Sequence, residues 1–391
     1  MIRLEDLTKR FKTPGADIVA ADRVNMEVPT GEICILLGPS GCGKTTALKM
    51  INRLIPPTSG KIYIDGKDTS QLDDIQLRRN IGYVIQQIGL FPNMTVEENI
   101  CVVPRLLNWD IRKARQRAAD LLDLVGLDPR QFLRRYPKEL SGGQQQRVGV
   151  IRALAADPPV MLMDEPFGAI DPINREIIQD EFLKMQAELK KTIMFVSHDI
   201  DEAVKMGDKI AIFRAGRIEQ YDTPDMILAH PANAFVADFV GADRTLKRLR
   251  LVTAEEVATT EVPVTARSTK VSDALQQLTV ARARRAVVID SDHRPVGFVT
   301  AEEMAGGSGE VRDFAHPLPA TVPVRADLRA VVSEMFAHDT MWLACTDDHG
   351  RFAGVITQPD VTAALRATYG AGKGASDQAR QQGSGRDQGA P

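Results

Sequence analysis

The chain has 391 residues, a length that accommodates two or three domains. Its 43 % apolar and 26 % charged residues are the balance of a soluble globular protein, and a net charge of −3 excludes the basic excess of a nucleic-acid binder. The four cysteines (Cys34, Cys42, Cys101, Cys345) form no C-x-x-C pair and have no histidine at ligand spacing. A disulfide framework and a zinc site are therefore not expected, and a reducing cytosol fits.

The N-terminus, MIRLEDLTKRF, lacks the apolar stretch of a secretion signal. No segment approaches the roughly 18 to 20 apolar residues that span a bilayer. Any pore at a membrane must then come from a separate subunit. The run at 33–37 is short, apolar and ends in glycine, as a buried strand does. After it, GPSGCGKT at 38–45 fits G-x-x-x-x-G-K-S/T: Gly38, Pro39, Ser40, Gly41, Cys42, Gly43, Lys44 and Thr45, with Thr46 next. Glycines let backbone N–H groups wrap a polyphosphate, and the following helix, expected over 45–54, points its positive end at the anion. Lys44 adds charge toward the β- and γ-phosphates, and the Thr45 hydroxyl is placed to ligate Mg²⁺. Cys42 occupies a variable position and is read as structural.

Between about 95 and 158 the pattern turns helical and charged, as in IRKARQRAADLLDLVGL, which predicts a helical insertion. The runs at 160–163 and 192–196 are further core strands of a mostly parallel sheet. In VMLMDEP, Asp164 and Glu165 end a strand where α/β sheets bind ligands. Asp164 is placed for Mg²⁺ and Glu165 to accept a proton from, or orient, an attacking water. The plainer alternative is that both acids cap the next helix.

LSGGQQQRV spans 140–148. Ser141 and Gln144 also form the pattern of a capping box. With this motif the sequence resembles the ATP-binding cassette (ABC) ATPases. The resemblance implies a cassette of the P-loop NTPase class, α/β, with a mixed sheet core and a helical subdomain at about 88–158. It implies that Ser141, Gly142, Gly143 and Gln144 approach the γ-phosphate of ATP held by a second copy, in a head-to-tail dimer with two ATP molecules between the copies. It further implies that Gln86, with Gln87 as a weaker candidate, reaches Mg²⁺ and the water and contacts a membrane subunit. By the same resemblance Asp171 would link the sites across the dimer and His198 would touch the γ-phosphate, although one histidine at a strand end is often only a satisfied polar residue. The resemblance also implies that Phe11 stacks on adenine, against the alternative of an ordinary core or surface ring. Lys44, Gln86, Glu165 and His198 are thus the catalytic set, with Thr45, Gln86 and Asp164 for the metal. The family's usual leucine is replaced by Ile170.

The segment RTLKRLR (244–250) is expected to be a basic bridge, with 244–251 as a linker after a cassette of residues 1–243. Beyond it, AVVIDSDHRPVGFVT (286–300) and WLACTDDHGRFAGVIT (342–357) repeat with 57 residues between Asp290 and Asp347, Gly297 and Gly354, and Thr300 and Thr357. This region resembles a pair of α+β CBS domains, expected at 252–307 and 308–368, with a disordered tail at 369–391. The tail's GAGKGA has no strand before it and no Ser or Thr after its Lys, so it is not a phosphate loop. Gly354, Thr357 and Asp360 match the CBS pattern that holds an adenine nucleotide's ribose; the first repeat has Glu303 where the Asp belongs. Arg282, Arg284 and Arg285 are either a site for phosphates or anionic lipid headgroups or a solvated charged face.

KMINRLIPPTSG and VVPRLLNW, together with the CBS pair, resemble the ATP-binding subunits of quaternary-amine and osmoprotectant importers. That resemblance implies ATP hydrolysis driving uptake of glycine betaine, choline or carnitine. It implies integral permease subunits, a periplasmic or lipid-anchored solute-binding protein, no nucleic-acid partner, and a peripheral place on the cytoplasmic face of a bacterial inner membrane. The alternatives are an importer ATPase for another small solute, or a soluble ABC regulatory ATPase.

Overall fold

The computed structural model describes residues 1–13, 16–86, 89–168 and 170–366. Gln87 and the 369–391 tail lie outside the described residues. The chain divides into two compact units: Met1–Ile227 with Pro231–Gly241, and Leu228–His230 with the chain from Ala242 onward.

The strands of the first unit are β1 (Ile2–Thr13), β2 (Ala16–Val28), β3 (Ile33–Leu37), β4 (Ser59–Ile64), β5 (Lys67–Asp68), β6 (Ile81–Val84), β7 (Val160–Asp164), β8 (Thr192–Val196), β9 (Lys209–Arg214) and β10 (Arg217–Asp222). Six form one sheet in the order β10-β9-β3-β8-β7-β6. The pairs β9–β3, β3–β8, β8–β7 and β7–β6 are parallel, and β10 is antiparallel to β9. All five residues of β3, of β7 and of β8 are buried. Continuous apolar runs are what strands covered on both faces require.

The other four strands form an antiparallel sheet, β2-β1-β4-β5, that the sequence pattern did not reveal. The cause is a bulge. Ile2 and Leu4 alternate inward, then Asp6 takes a left-handed φ of 45° and the register shifts before Leu7, which is again buried. One extra residue reverses the apolar phase and hides the period of two. Asn25 holds the bulge, accepting from the Asp6 N–H at 2.9 Å and donating to the Asp6 carboxylate at 2.8 Å.

Between β6 and β7 the chain is helical, with helices Val96–Ile100, Val102–Leu106, Ile111–Leu124, Pro129–Phe132 and Gly142–Leu154. In Ile111–Leu124 the buried residues are Ala114, Ala118, Leu121 and Leu122, one face of an α-helix. Asp110 caps its first turn. Among the described residues no helix is long and apolar enough to cross a membrane.

The second unit holds β11 (Val264–Ala266), β12 (Arg285–Ile289), β13 (Pro295–Thr300), β14 (Thr321–Pro323), β15 (Trp342–Thr346) and β16 (Phe352–Thr357). They form two three-stranded sheets with the same plan, one parallel and one antiparallel pairing each. Val288 opposite Gly297 recurs as Cys345 opposite Gly354, and helix Val271–Val280 recurs as Leu328–Ala337.

The expected linker is not a linker. Arg244–Arg248 is a helix, Arg248 is buried, and Leu249 packs with Val322, Leu328, Leu343 and Ile356 in the core of the second repeat. The halves also interlock across residue 307. Ala254 N–H donates to Ala326 O at 2.8 Å and Thr259 N–H to Val355 O at 2.8 Å, so the start of the first repeat covers the second. Val311, Phe314 and Ala315 in turn pack on the first repeat's core. The leading segments bridge to the edge strands at Thr259–Val355 and Phe298–His316, while apolar residues of the two sheets, Val287, Trp342, Ala344 and Val355, pack in one cluster.

Candidate functional site

The phosphate loop leaves the C-terminal end of β3 and enters helix Lys44–Ile51. Gly38 has φ 143°, and a Cβ there would lie 2.3 Å from Phe213 O. Lys44 is buried, its Nζ donating to Gly38 O at 2.6 Å and Pro39 O at 3.0 Å, with Cys42 Sγ at 3.7 Å. The charge is thus parked on the loop's own carbonyls, within the loop that a polyphosphate would fill. Cys42 is buried, whereas Pro39, Ser40 and Gly41 are exposed and Thr46 is half-buried. Phe11 is an exposed ring on β1, opposite Ile18 of β2, with the Lys9 ammonium 5.0 Å from its centroid. Ala20 of the same β2 strand touches the loop at Gly43, which sets Phe11 on the strand pair beside it.

Asp164 ends β7 and is buried; its Oδ1 accepts from the Thr45 hydroxyl at 2.9 Å. Burial pushes its carboxyl above the usual carboxylate range, opposed by the Thr45 hydrogen bond. Glu165 follows with a left-handed φ of 49°, a conformation that costs an L-residue about 1–2 kcal/mol. Its N–H donates to Val196 O at 3.1 Å. The carboxylate lies between Gln86 Nε2, at 2.8 Å from Oε2, and His198 Nε2, which meets Oε1. Gln86 follows β6, Glu165 follows β7 and His198 follows β8, so three adjacent parallel strands deliver the cluster at their C-terminal ends. The helix-cap reading of the two acids fails, because the next helix, Pro172–Leu189, is capped by Asp171.

Ser141 caps helix Gly142–Leu154. Gln144 N–H donates to Ser141 Oγ at 3.4 Å and Ser141 N–H to Gln144 Oε1 at 3.0 Å. A cleft of about 500 Å³ is lined by Ser141, Gly142, Gly143, Gln144, Asp171 and Asn174. A Cβ at Gly142 would meet nothing within 4 Å, so this backbone is open to an incoming group. Asp171 accepts from Asn174 N–H at 3.1 Å and Nδ2 at 2.8 Å, and these bonds hold its carboxyl below the usual range. The signature helix is tied to the acid cluster by Gln146, whose Nε2 donates to Pro166 O.

Sequence reasoning missed Asn99. It is fully buried, accepts from Phe91 N–H at 2.7 Å, and donates to the carbonyls of Phe91, Met94 and Thr95 at 3.0–3.1 Å. Nothing in the local pattern marks it, since an asparagine in a short charged helix is indistinguishable from a surface residue.

The family model described as ABC transporter matches residues 21–168, and that described as CBS domain matches 254–306. The osmoprotectant import ATP-binding protein OsmV of Salmonella typhimurium is 59 % identical over 360 residues, 92 % of this chain and 94 % of that protein. This chain belongs to the ATP-binding proteins of osmoprotectant ABC importers. A second such protein, the glycine betaine/carnitine/choline transport ATP-binding protein OpuCA of Bacillus subtilis, is 44 % identical over 92 % of this chain and 94 % of its own. Among solved structures, a dimeric ATP-binding cassette in a post-hydrolysis state, bound to ADP and phosphate, matches with TM-score 0.52 and 38 % identity, covering 57 % of this chain and 99 % of that one. As an ABC importer subunit the chain binds and hydrolyses ATP, and the family works peripherally at the membrane, as dimers with permease subunits.

The importer's second unit places its candidate ribose site at the end of β16. Gly354 has φ 152°, and a Cβ there would lie 3.0 Å from Thr259 O. Asp360 Oδ2 accepts from the Thr357 N–H at 2.9 Å and the Thr357 hydroxyl at 2.5 Å. In the first repeat Glu303 keeps the same bond with the Thr300 hydroxyl at 2.7 Å and adds His316 at 2.9 Å. The longer acid preserves the turn while taking an extra partner. Of the arginines, Arg282 and Arg284 are exposed, and Arg285 lies 5.0 Å over the Trp342 ring.

Proposed function

We propose that this importer ATPase powers the uptake of quaternary-amine osmoprotectants of the glycine betaine, choline and carnitine type, with its CBS pair as the regulatory part. The observation that carries the reading is the placement of Glu165 between Gln86 and His198, beside the Thr45–Asp164 pair, in a chain related over nearly its full length to OsmV and OpuCA. The Thr45 and Asp164 oxygens, paired at 2.9 Å, suit a hard cation such as Mg²⁺, and Gln86 is the third residue that would hold it. When bound, it would neutralise charge on the β- and γ-phosphates. Lys44 would exchange its loop carbonyls for those phosphates, Phe11 would stack on adenine, and Gln86 would help orient the water. Glu165 would take that water's proton, and His198 would hold the γ-phosphate side.

A second copy completes the site. Ser141, Gly143 and the open backbone at Gly142 of one copy would meet the phosphates held by Lys44 of the other, with Asp171 crossing between them. ATP drives closure to the extent that it binds the closed state more tightly. Closure would act on permease subunits through the surface near Gln86 and Phe91, at the cytoplasmic face of the inner membrane. A solute-binding protein outside would deliver the cargo. The decisive test is uptake of labelled glycine betaine, choline and carnitine, one at a time, by a strain lacking its own uptake systems and carrying this subunit with its permease and solute-binding protein. Salt-dependent uptake of at least one is expected; uptake of none, with intact ATP hydrolysis, would reassign the substrate.

The CBS pair would sense ionic strength or bind an adenine nucleotide through Gly354, Thr357 and Asp360, or anionic lipid through Arg282, Arg284 and Arg285. Because Leu249 belongs to the repeat core, the clean truncation starts at Ala242, not at 252. Removal from Ala242 onward is expected to leave transport active but flatten its response to salt. An unaltered salt response would remove the regulatory role.

A further inference from the structure

One buried carboxyl in the cassette has no place in the chemistry above. Glu202, in helix Ile200–Met206, is buried with both oxygens engaged. Oε1 accepts from Gln179 Nε2 at 3.0 Å, and Oε2 accepts from the Ser197 hydroxyl. Gln179 and Ser197 are themselves buried. Ser197 Oγ also accepts from the Asp199 N–H at 3.0 Å, so one hydroxyl clamps the backbone on both sides of His198.

Gln179 stands on helix Pro172–Leu189, the helix that Asp171 caps. Two ion pairs run alongside, Arg175 to Asp199 at 3.8 Å and Lys205 to Asp180 at 2.7 Å. Arg175 also donates to Ile170 O at 2.8 Å. The histidine segment and the helix start are therefore stitched into one body. Burying a carboxyl group is costly unless its hydrogen bonds are made. Here one bond goes to Ser197, beside His198, and the other to Gln179 on the Asp171-capped helix.

We infer that Glu202 is a positioning residue for ATP hydrolysis: through Ser197 and Gln179 it fixes His198 against the Asp171-capped helix, within reach of Glu165. The inference rests on the reading of His198 and Glu165 as the hydrolytic pair.

The test uses the full-length protein and compares kcat, KM for ATP and Tm. Glu202→Ala lowers kcat about ten- to a hundredfold while KM stays within about threefold, the signature of a misplaced group and not of lost binding. Ser197→Ala, which removes one hydroxyl and leaves the packing, lowers kcat about tenfold at unchanged Tm. Glu202→Gln returns to within about threefold of the parent, because its amide oxygen still accepts from Ser197 and Gln179 can turn its own oxygen toward the new NH₂. The inference is overturned by parent-like kcat in Glu202→Ala, or by effects confined to KM and Tm. It is equally overturned if Glu202→Gln is as slow as Glu202→Ala, since charge and not placement would then matter. Should Glu202→Ala fail to fold, Ser197→Ala and Glu202→Gln decide. His198→Ala separates the two layers. If it keeps the parent rate, the reading of His198 is wrong and this inference falls with it; if it is slow while the Glu202 and Ser197 variants are not, only this inference is wrong.

Discussion

Glutamine in place of Glu165 lowers the steady-state ATPase rate roughly a thousandfold and leaves ATP affinity within a few-fold of the parent. The side chain keeps its length, so the amide oxygen can still accept from Gln86, whose Nε2 lies 2.8 Å from the carboxylate. What disappears is the group that takes a proton from water. The φ of 49° supports this division of labour. The turn places the side chain in the cluster between Gln86 and His198. The same substitution makes ATP-loaded dimer accumulate on size exclusion, because nucleotide enters and is not consumed. A variant turning over at the parent rate would remove Glu165 from the role, and an unaffected rate with a slow His198→Ala would shift the chemistry to the histidine side.

Legibility in the sequence followed the range of the physics involved. The phosphate loop, the acid pair and the strands at 33–37, 160–163 and 192–196 could be placed because their constraints are local: a glycine where φ is positive, an apolar run where both faces are covered. The repeat was legible for the same reason, its 57-residue spacing surviving into the opposed pairs Val288–Gly297 and Cys345–Gly354. The antiparallel sheet was not, because the bulge at Asp6 breaks the alternation that would have announced it. The helix at 244–248 was missed because the segment reads as basic and exposed, although Arg248 and the Leu249 that follows the helix are both buried. The exchange of covering segments between the repeats has no local signal at all. Within the site, Gln86, Glu165 and His198 lie together at the ends of three adjacent strands, whereas Asn99 and Glu202 are buried supports whose bonds, from four to 23 residues away in sequence, follow no motif.

Alanine at Gly43 is expected to weaken ATP binding at least about a hundredfold, a loss of about 2.7 kcal/mol or more. Two costs add at this position. With φ at 107°, an L-residue is strained whatever surrounds it. In addition, the new Cβ would lie 2.0 Å from Ala20 O, a backbone atom of a strand that cannot swing aside as a side chain tip can. The next neighbour is also backbone: Gly216 Cα is 3.5 Å away, and Gly216 N–H donates to Cys42 O at 2.9 Å. Relief must therefore come from the loop itself, displacing Lys44 from the position that lets it reach phosphates. Gly66→Ala is the control, since Gly66 has a positive φ of 77° but nothing within 4 Å of its Cβ position. It should cost about 1 kcal/mol of stability and leave affinity alone. Calorimetric titration with ATP, alongside Tm, separates the two effects: parent-like affinity in Gly43→Ala would mean that the loop opens without cost, and that its tight seating on β2 has no part in holding the nucleotide.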